Sequence, residues 1–111
     1  MLNFPVFVLE AETGDIDTID SMKWLLIHVE EFWIDIKDDF RYWDCNGHPL
    51  KFEKSFLYNK GKGYTVLGKN ELEILKTYVF NFAEKNGFTM TEELKNTSLN
   101  DIALMVKQKI D

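Results

Sequence analysis

The apolar residues of this chain keep two periods, one of strands and one of helices. Residues 3–10, NFPVFVLE, are apolar and rich in β-formers, which predicts a first strand, with Pro5 confining its start to an edge or an unpaired position. Ala11 to Asp17 holds Gly14 and three acids without periodicity and reads as a loop. Met22, Leu25, Leu26, Val29, Phe32 and Trp33 then repeat at i, i+3, i+4 and i+7, the buried stripe of a helix over about 21–31 with Asp20 or Ser21 as N-cap. His28 falls off that stripe and is expected to be exposed.

The stretch 35–56, DIKDDFRYWDCNGHPLKFEKSF, changes to a period of two on either side of Asn46-Gly47. Asn-Gly between alternating segments predicts a hairpin with a type I′ turn, which needs φ > 0 at both central residues. Phe40, Tyr42, Leu50 and Phe52 supply its core face. Arg41 and Trp43 point the other way, so Trp43 is expected as a large aromatic on an exposed face, whereas Trp33 is expected in the core. Pro49 opens the second strand, where a missing N–H does least harm.

Residues 59–63, NKGKG, read as a flexible basic turn, and Tyr64 to Leu67 as a short further strand. The strongest helical pattern spans 71–86, with Ile74, Leu75, Tyr78, Val79 and Phe82 on one face and Gly87 at C′. One more turn is expected at Thr91 to Lys95. A last helix, about 99–109, packs through Leu99, Ile102, Val106 and Ile110, and Ser98 stands three residues before Asp101 as a capping-box variant. Strands cluster early and helices late. The fold class expected is therefore α+β: a single domain over 1–111, with a small, mostly antiparallel sheet of three to five strands and about three helices on one face.

Composition sharpens this picture. A chain of 111 residues has room for one domain, and 45% hydrophobic with 14% aromatic residues supports a compact core. No apolar run reaches the roughly 18 residues of a membrane span. MLNFPVFVLE has neither a basic n-region nor a small-residue cleavage site, so no signal peptide is expected. The lone Cys45 has no partner for an internal disulfide, and a reducing cytoplasm is the simplest home. Charge is unevenly spread: residues 1–44 carry eleven acids against three bases, a balance of −8, while the remainder carries ten lysines against eight acids, a balance of +2. Such a chain is a poor ligand for phosphate backbones, which need concentrated Lys and Arg, so no direct nucleic-acid binding is expected and a basic protein partner is.

Candidate chemistry is sparse. Cys45 and His48 have the C-x-x-H spacing of half a zinc site, but no second pair completes it. As a nucleophile pair they suffer from Asp44, because a reactive thiolate wants electropositive surroundings. Asp44-x-Asn46-Gly47 matches a fragment of a calcium loop that Pro49-Leu50 interrupts. Gly61-Lys62-Gly63 lacks the spacing and the strand-to-helix placement of a phosphate loop. The expectation is no catalytic residue, no metal and no cofactor. The densest acidic cluster, Glu30, Glu31, Asp35, Asp38 and Asp39, flanks a helix end and a strand start where solvent keeps carboxylates ionised. It reads as a docking surface, with Trp43 as its aromatic anchor.

The order of strand Phe7-Val8-Leu9-Glu10, acidic loop, helix beginning Asp20-Ser21, and then Tyr42-Trp43-Asp44-x-Asn46-Gly47-x-Pro49-Leu50 resembles the small acidic immunity proteins of bacterial polymorphic-toxin systems, of the contact-dependent inhibition type. The resemblance covers the first half of the chain. It implies a cytoplasmic protein that binds and blocks one cognate toxin, often a basic nuclease, with no shared catalytic residues. Two other readings stand beside it: a small enzyme or ligand-binding domain with a pocket against the sheet, and an acidic mimic of nucleic acid.

Overall fold

The computed structural model describes residues 2–33 and 39–110. Among them five strands form one antiparallel sheet: β1 (Val6–Glu10), β2 (Ile16–Ile19), β3 (Phe40–Trp43), β4 (Pro49–Phe52) and β5 (Tyr64–Val66), in the spatial order β2-β1-β3-β4-β5. Five helices accompany it: α1 (Met22–Glu31), α2 (Lys54–Tyr58), α3 (Leu72–Lys85), α4 (Glu92–Lys95) and α5 (Leu99–Ile110). The α+β class and the single antiparallel sheet are as expected. The helices are more numerous, and they divide between both faces.

That division follows from β1. It lies between β2 and β3, and Val6, Phe7, Val8 and Leu9 are all buried. Successive side chains of a strand point to opposite faces, so Val6 and Val8 meet Leu25 and Val29 of α1 and Phe56 of α2 in one core. Phe7 and Leu9 meet Leu75, Val79 and Phe82 of α3 and Ile102 and Val106 of α5 in the other. Residues 11–17, expected as a loop, end inside β2. Ile16 stands opposite Leu9 and Ile19 opposite Val6, so these two isoleucines, three apart, serve opposite cores. A segment that sends one anchor to each face shows no clear alternation. Phe56, expected in a strand, is fully buried on α2 instead, and Ile74, expected in the core, is exposed on α3.

The helix boundaries are set by local chemistry. Ser21 accepts a hydrogen bond from the backbone N–H of Trp24 (3.4 Å) and caps α1. Thr91 does the same for α4 through Leu94 (3.2 Å), and Ser98 accepts from Asp101 at the start of α5 (3.1 Å). Gly87, with φ +91°, ends α3 as expected.

The β3–β4 connection differs from the two-residue turn expected for Asn46-Gly47. Trp43 pairs with Pro49, leaving residues 44–48 as the connection, and within it only Gly47 has positive φ (+87°). The Asp44 carboxylate organises it: Oδ1 accepts from the backbone N–H of Asn46 (2.9 Å) and of His48 (3.0 Å), while Oδ2 lies 3.2 Å from His48 Nδ1. Asp44 is buried, and a buried acceptor is tolerated when its lone pairs are filled in this way. The turn then grips α3. The Gly47 carbonyl accepts from the Glu71 N–H (2.7 Å), Asn70 Nδ2 donates to the Asn46 carbonyl (2.7 Å), and a Cβ on Gly47 would lie 2.5 Å from the Leu72 Cα.

Gly47→Ala should therefore lower the unfolding free energy by about 2 kcal/mol or more, combining strained φ with backbone overlap. Urea denaturation is the check: a lower midpoint at unchanged slope is expected.

Candidate functional site

The residues expected to meet a partner separate into three groups. Glu30 and Glu31, on the last turn of α1, are exposed, and so is Asp39 just before β3. Asp35 and Asp38 lie outside the described residues. Trp43 is fully buried at 0% exposure, which corrects its expected place on an open face. The side of β3 opposite Tyr42 is covered by α3, and Trp43 packs there with Tyr78 (ring centroids 5.7 Å apart) while its Nε1 donates to Glu71 Oε1 (2.9 Å). Trp33, expected in the core, is half-buried at the margin of the α1 core.

The aromatic that does face solvent is Trp24, 58% exposed, with Ile27 at 43% one turn further along α1. Together with Asp17, Thr18, Asp20, His28, Glu31 and Lys107 they line one depression of about 350 Å³. A second depression, of about 310 Å³, continues from Asp17, His28 and Lys107 to Phe32, Phe40 and Ile110. The two form a trough between α1 and α5. Its floor is β2, which among the described residues pairs only with β1 and so has one edge free of them. Trp24, Ile27 and Glu31 share a helix face by their i, i+3, i+7 spacing; Trp24 sits between Lys23, whose Nζ is 5.4 Å from its ring centroid, and the buried Leu25.

Aromatic contacts fix the end of the trough. The rings of Phe32 and Phe40 are 5.3 Å apart, and His28 contacts Phe32, Phe40 and Tyr42 at 4.9, 5.4 and 5.6 Å. The C-terminal turn of α1, with Glu30 and Glu31, is thereby held near the start of β3, where Asp39 precedes Phe40. His28 is half-buried rather than exposed, and its Nε2 is 2.7 Å from the Tyr42 hydroxyl. Burial lowers its pKa from 6.5, against the opposing pull of Asp17 and Glu31. Burial also raises the Tyr42 hydroxyl far above its ordinary value.

Spatial pairing moderates the uneven charge of the sequence. Lys85 Nζ lies 2.7 Å from Asp15 and Lys107 Nζ 2.5 Å from Asp17, so basic residues late in the chain return to the acidic early segment. Glu30, Glu31 and Asp39 form no ion pair among the described residues.

The Cys45 and His48 pair serves the turn. His48 engages Asp44, and the Cys45 thiol is pushed up by burial and by the Asp44 charge, the opposite of what a thiolate nucleophile needs. Among the described residues no helix is long and apolar enough to cross a membrane. Comparison with protein-family models, with curated proteins and with solved structures finds no match to this chain.

The lowered His28 pKa has a definite sign. The unfolded chain takes up the proton at about 6.5 before the folded chain does, so stability is lost as pH falls below 6.5 toward the folded value. Urea titrations at pH 7.5 and pH 5.5 should show a larger loss for the parent protein than for His28→Gln.

Proposed function

We propose that this chain is an interaction module of the immunity-protein kind, which binds and neutralises a basic cognate protein through the trough along β2. The observation that carries the reading is the exposure of Trp24 and Ile27 beside the acids Asp20 and Glu31, Asp17 of the same rim being paired with Lys107. Large aromatics supply most of the contact energy of an interface when a partner excludes water from them, and rim charges of one sign accelerate encounter with an oppositely charged partner. A net charge of −6 extends that attraction beyond the contact. Glu30 and Asp39 belong to the same acidic end. Trp24 takes the anchoring role that Trp43, being buried, does not fill.

The free edge of β2 adds a second mode of contact, because an extended segment of the partner could pair with it through backbone hydrogen bonds. The edge is four residues long, so side chains, rather than a long ladder, must supply most of the affinity. The mimicry of nucleic acid is less well supported. It calls for an evenly spaced ridge of open carboxylates, and Asp15 and Asp17 are engaged by Lys85 and Lys107.

The test is co-expression with the toxin-like product of the neighbouring reading frame. A complex is expected whose affinity falls with salt, and which Trp24→Ala weakens by about 2 kcal/mol and Glu31→Lys/Asp39→Lys weakens further at low salt. All these residues are exposed or near the surface, so the variants should fold. A complex indifferent to all three substitutions would sink the trough as the binding surface.

A further inference from the structure

The other end of the sheet carries a site of opposite character. α3 and α5 cover β2, β1 and β3, and their core contains no residue of β4 or β5. The corresponding face of β4 and β5 is left as an open groove of about 430 Å³, bounded by Glu71 at the start of α3. Arg41, Lys51 and Glu71 are the charged residues lining it, a local balance of +1 in a chain whose total is −6.

Two features single the groove out. First, the paired register of β3 and β4 ends at Tyr42 and Leu50, and Arg41 and Lys51, the next residues outward on the two strands, both line the groove. Two like charges facing one groove repel. Lys51 has no ion-pair partner among the described residues, and Glu71 answers only Arg41, at 3.4 Å. Second, Arg41 is held in place. Its Nη1 donates to the Tyr78 hydroxyl (2.8 Å), and its guanidinium carbon lies 4.9 Å from the Trp43 ring centroid and 5.4 Å from that of Tyr78. A cation fixed by stacking loses little entropy when it binds an anion. Beside the two cations the groove's exposed apolar surface comes mainly from Leu67, 45% exposed, with the buried Pro49 at its wall.

We propose that this groove binds a small organic carboxylate with an apolar body, its carboxylate between Arg41 and Lys51 and its apolar part against Pro49 and Leu67. The volume lies within the range of about 300–1,000 Å³ usual for small-molecule sites. The anion relieves the repulsion between the two cations, and the apolar part removes Leu67 from water. The groove shares Phe40 with the far end of the β2 trough, while Trp24 and Ile27 of the trough lie beside the opposite edge strand.

Octanoate is the probe, titrated into 15N-labelled full-length protein and followed by amide chemical shifts, with 1-octanol and octylammonium as controls. Saturable shifts at Arg41, Lys51 and Leu67 are expected with octanoate alone. Lys51→Glu should raise the apparent Kd about fivefold or more; Lys51 is exposed, so the fold should persist, and Lys51→Gln serves if it does not. The proposal is overturned if octanol shifts the same amides at the same concentrations, if the octanoate response fails to saturate, or if the Lys51 variants bind as the parent does.

Discussion

The turn at residues 44–48 is where the sheet takes hold of α3. Gly47 lies so close to Leu72 that no side chain fits between them, and the carbonyls of Asn46 and Gly47 accept from Asn70 and Glu71. The turn in turn depends on the buried Asp44 carboxylate, which holds two backbone N–H groups and His48. Once the start of α3 is fixed there, Glu71 receives the indole N–H of Trp43. Leu75, Val79 and Phe82 then follow at helical spacing along the Phe7 side of the sheet. Moving this anchor would shift a whole helical layer.

The anchor also decides which parts of the sheet stay open. Because α3 leaves the turn toward β1 and β2, it joins α5 over that half and leaves β4 and β5 bare on the same side. On the opposite side α1 and α2 cover β1, β3 and β4, and α1 turns Trp24 and Ile27 outward beside the free edge of β2. One packing choice thus produces both an acidic, aromatic trough and a cationic groove, at opposite ends of a single sheet. Neither belongs to the buried interior, so their residues are free to be selected for recognition rather than for packing.

Elements with a strong single period were legible from sequence. α1, α3 and α5 were readable within a residue or two, because one stripe of each is buried, with Ser21 and Ser98 marking the starts of α1 and α5 and Gly87 the end of α3. Elements buried on two sides were less so. In β3 both Tyr42 and Trp43 are core residues, and a reading that assumes one wet face must send one of them outward. The signal against that assumption lay in Val6 to Leu9, whose unbroken apolar run marks a strand covered on both faces. α2 and β2 escaped for a different reason: five and four residues respectively are too few to establish a period. Of the acids at and beside the candidate trough, Glu31 on its lining and Glu30 and Asp39 next to it were identifiable as exposed. Trp24 was not singled out, although its place beside the stripe formed by Met22, Leu25 and Val29 was the available clue.

The ion pairs that join Asp15 to Lys85 and Asp17 to Lys107 span 70 and 90 positions of chain. They mark how late the Phe7 core closes during synthesis. β1 and β2 are translated first, yet Leu9 and Ile16 gain their cover only from α3 and α5, and α5 begins at Leu99. Until the ribosome has released that helix, an apolar face of the nascent hairpin stays in contact with water, and unfinished sheets of this kind are where aggregation starts. Asp17 stands exposed on β2, and a charge on an edge strand opposes edge-to-edge pairing.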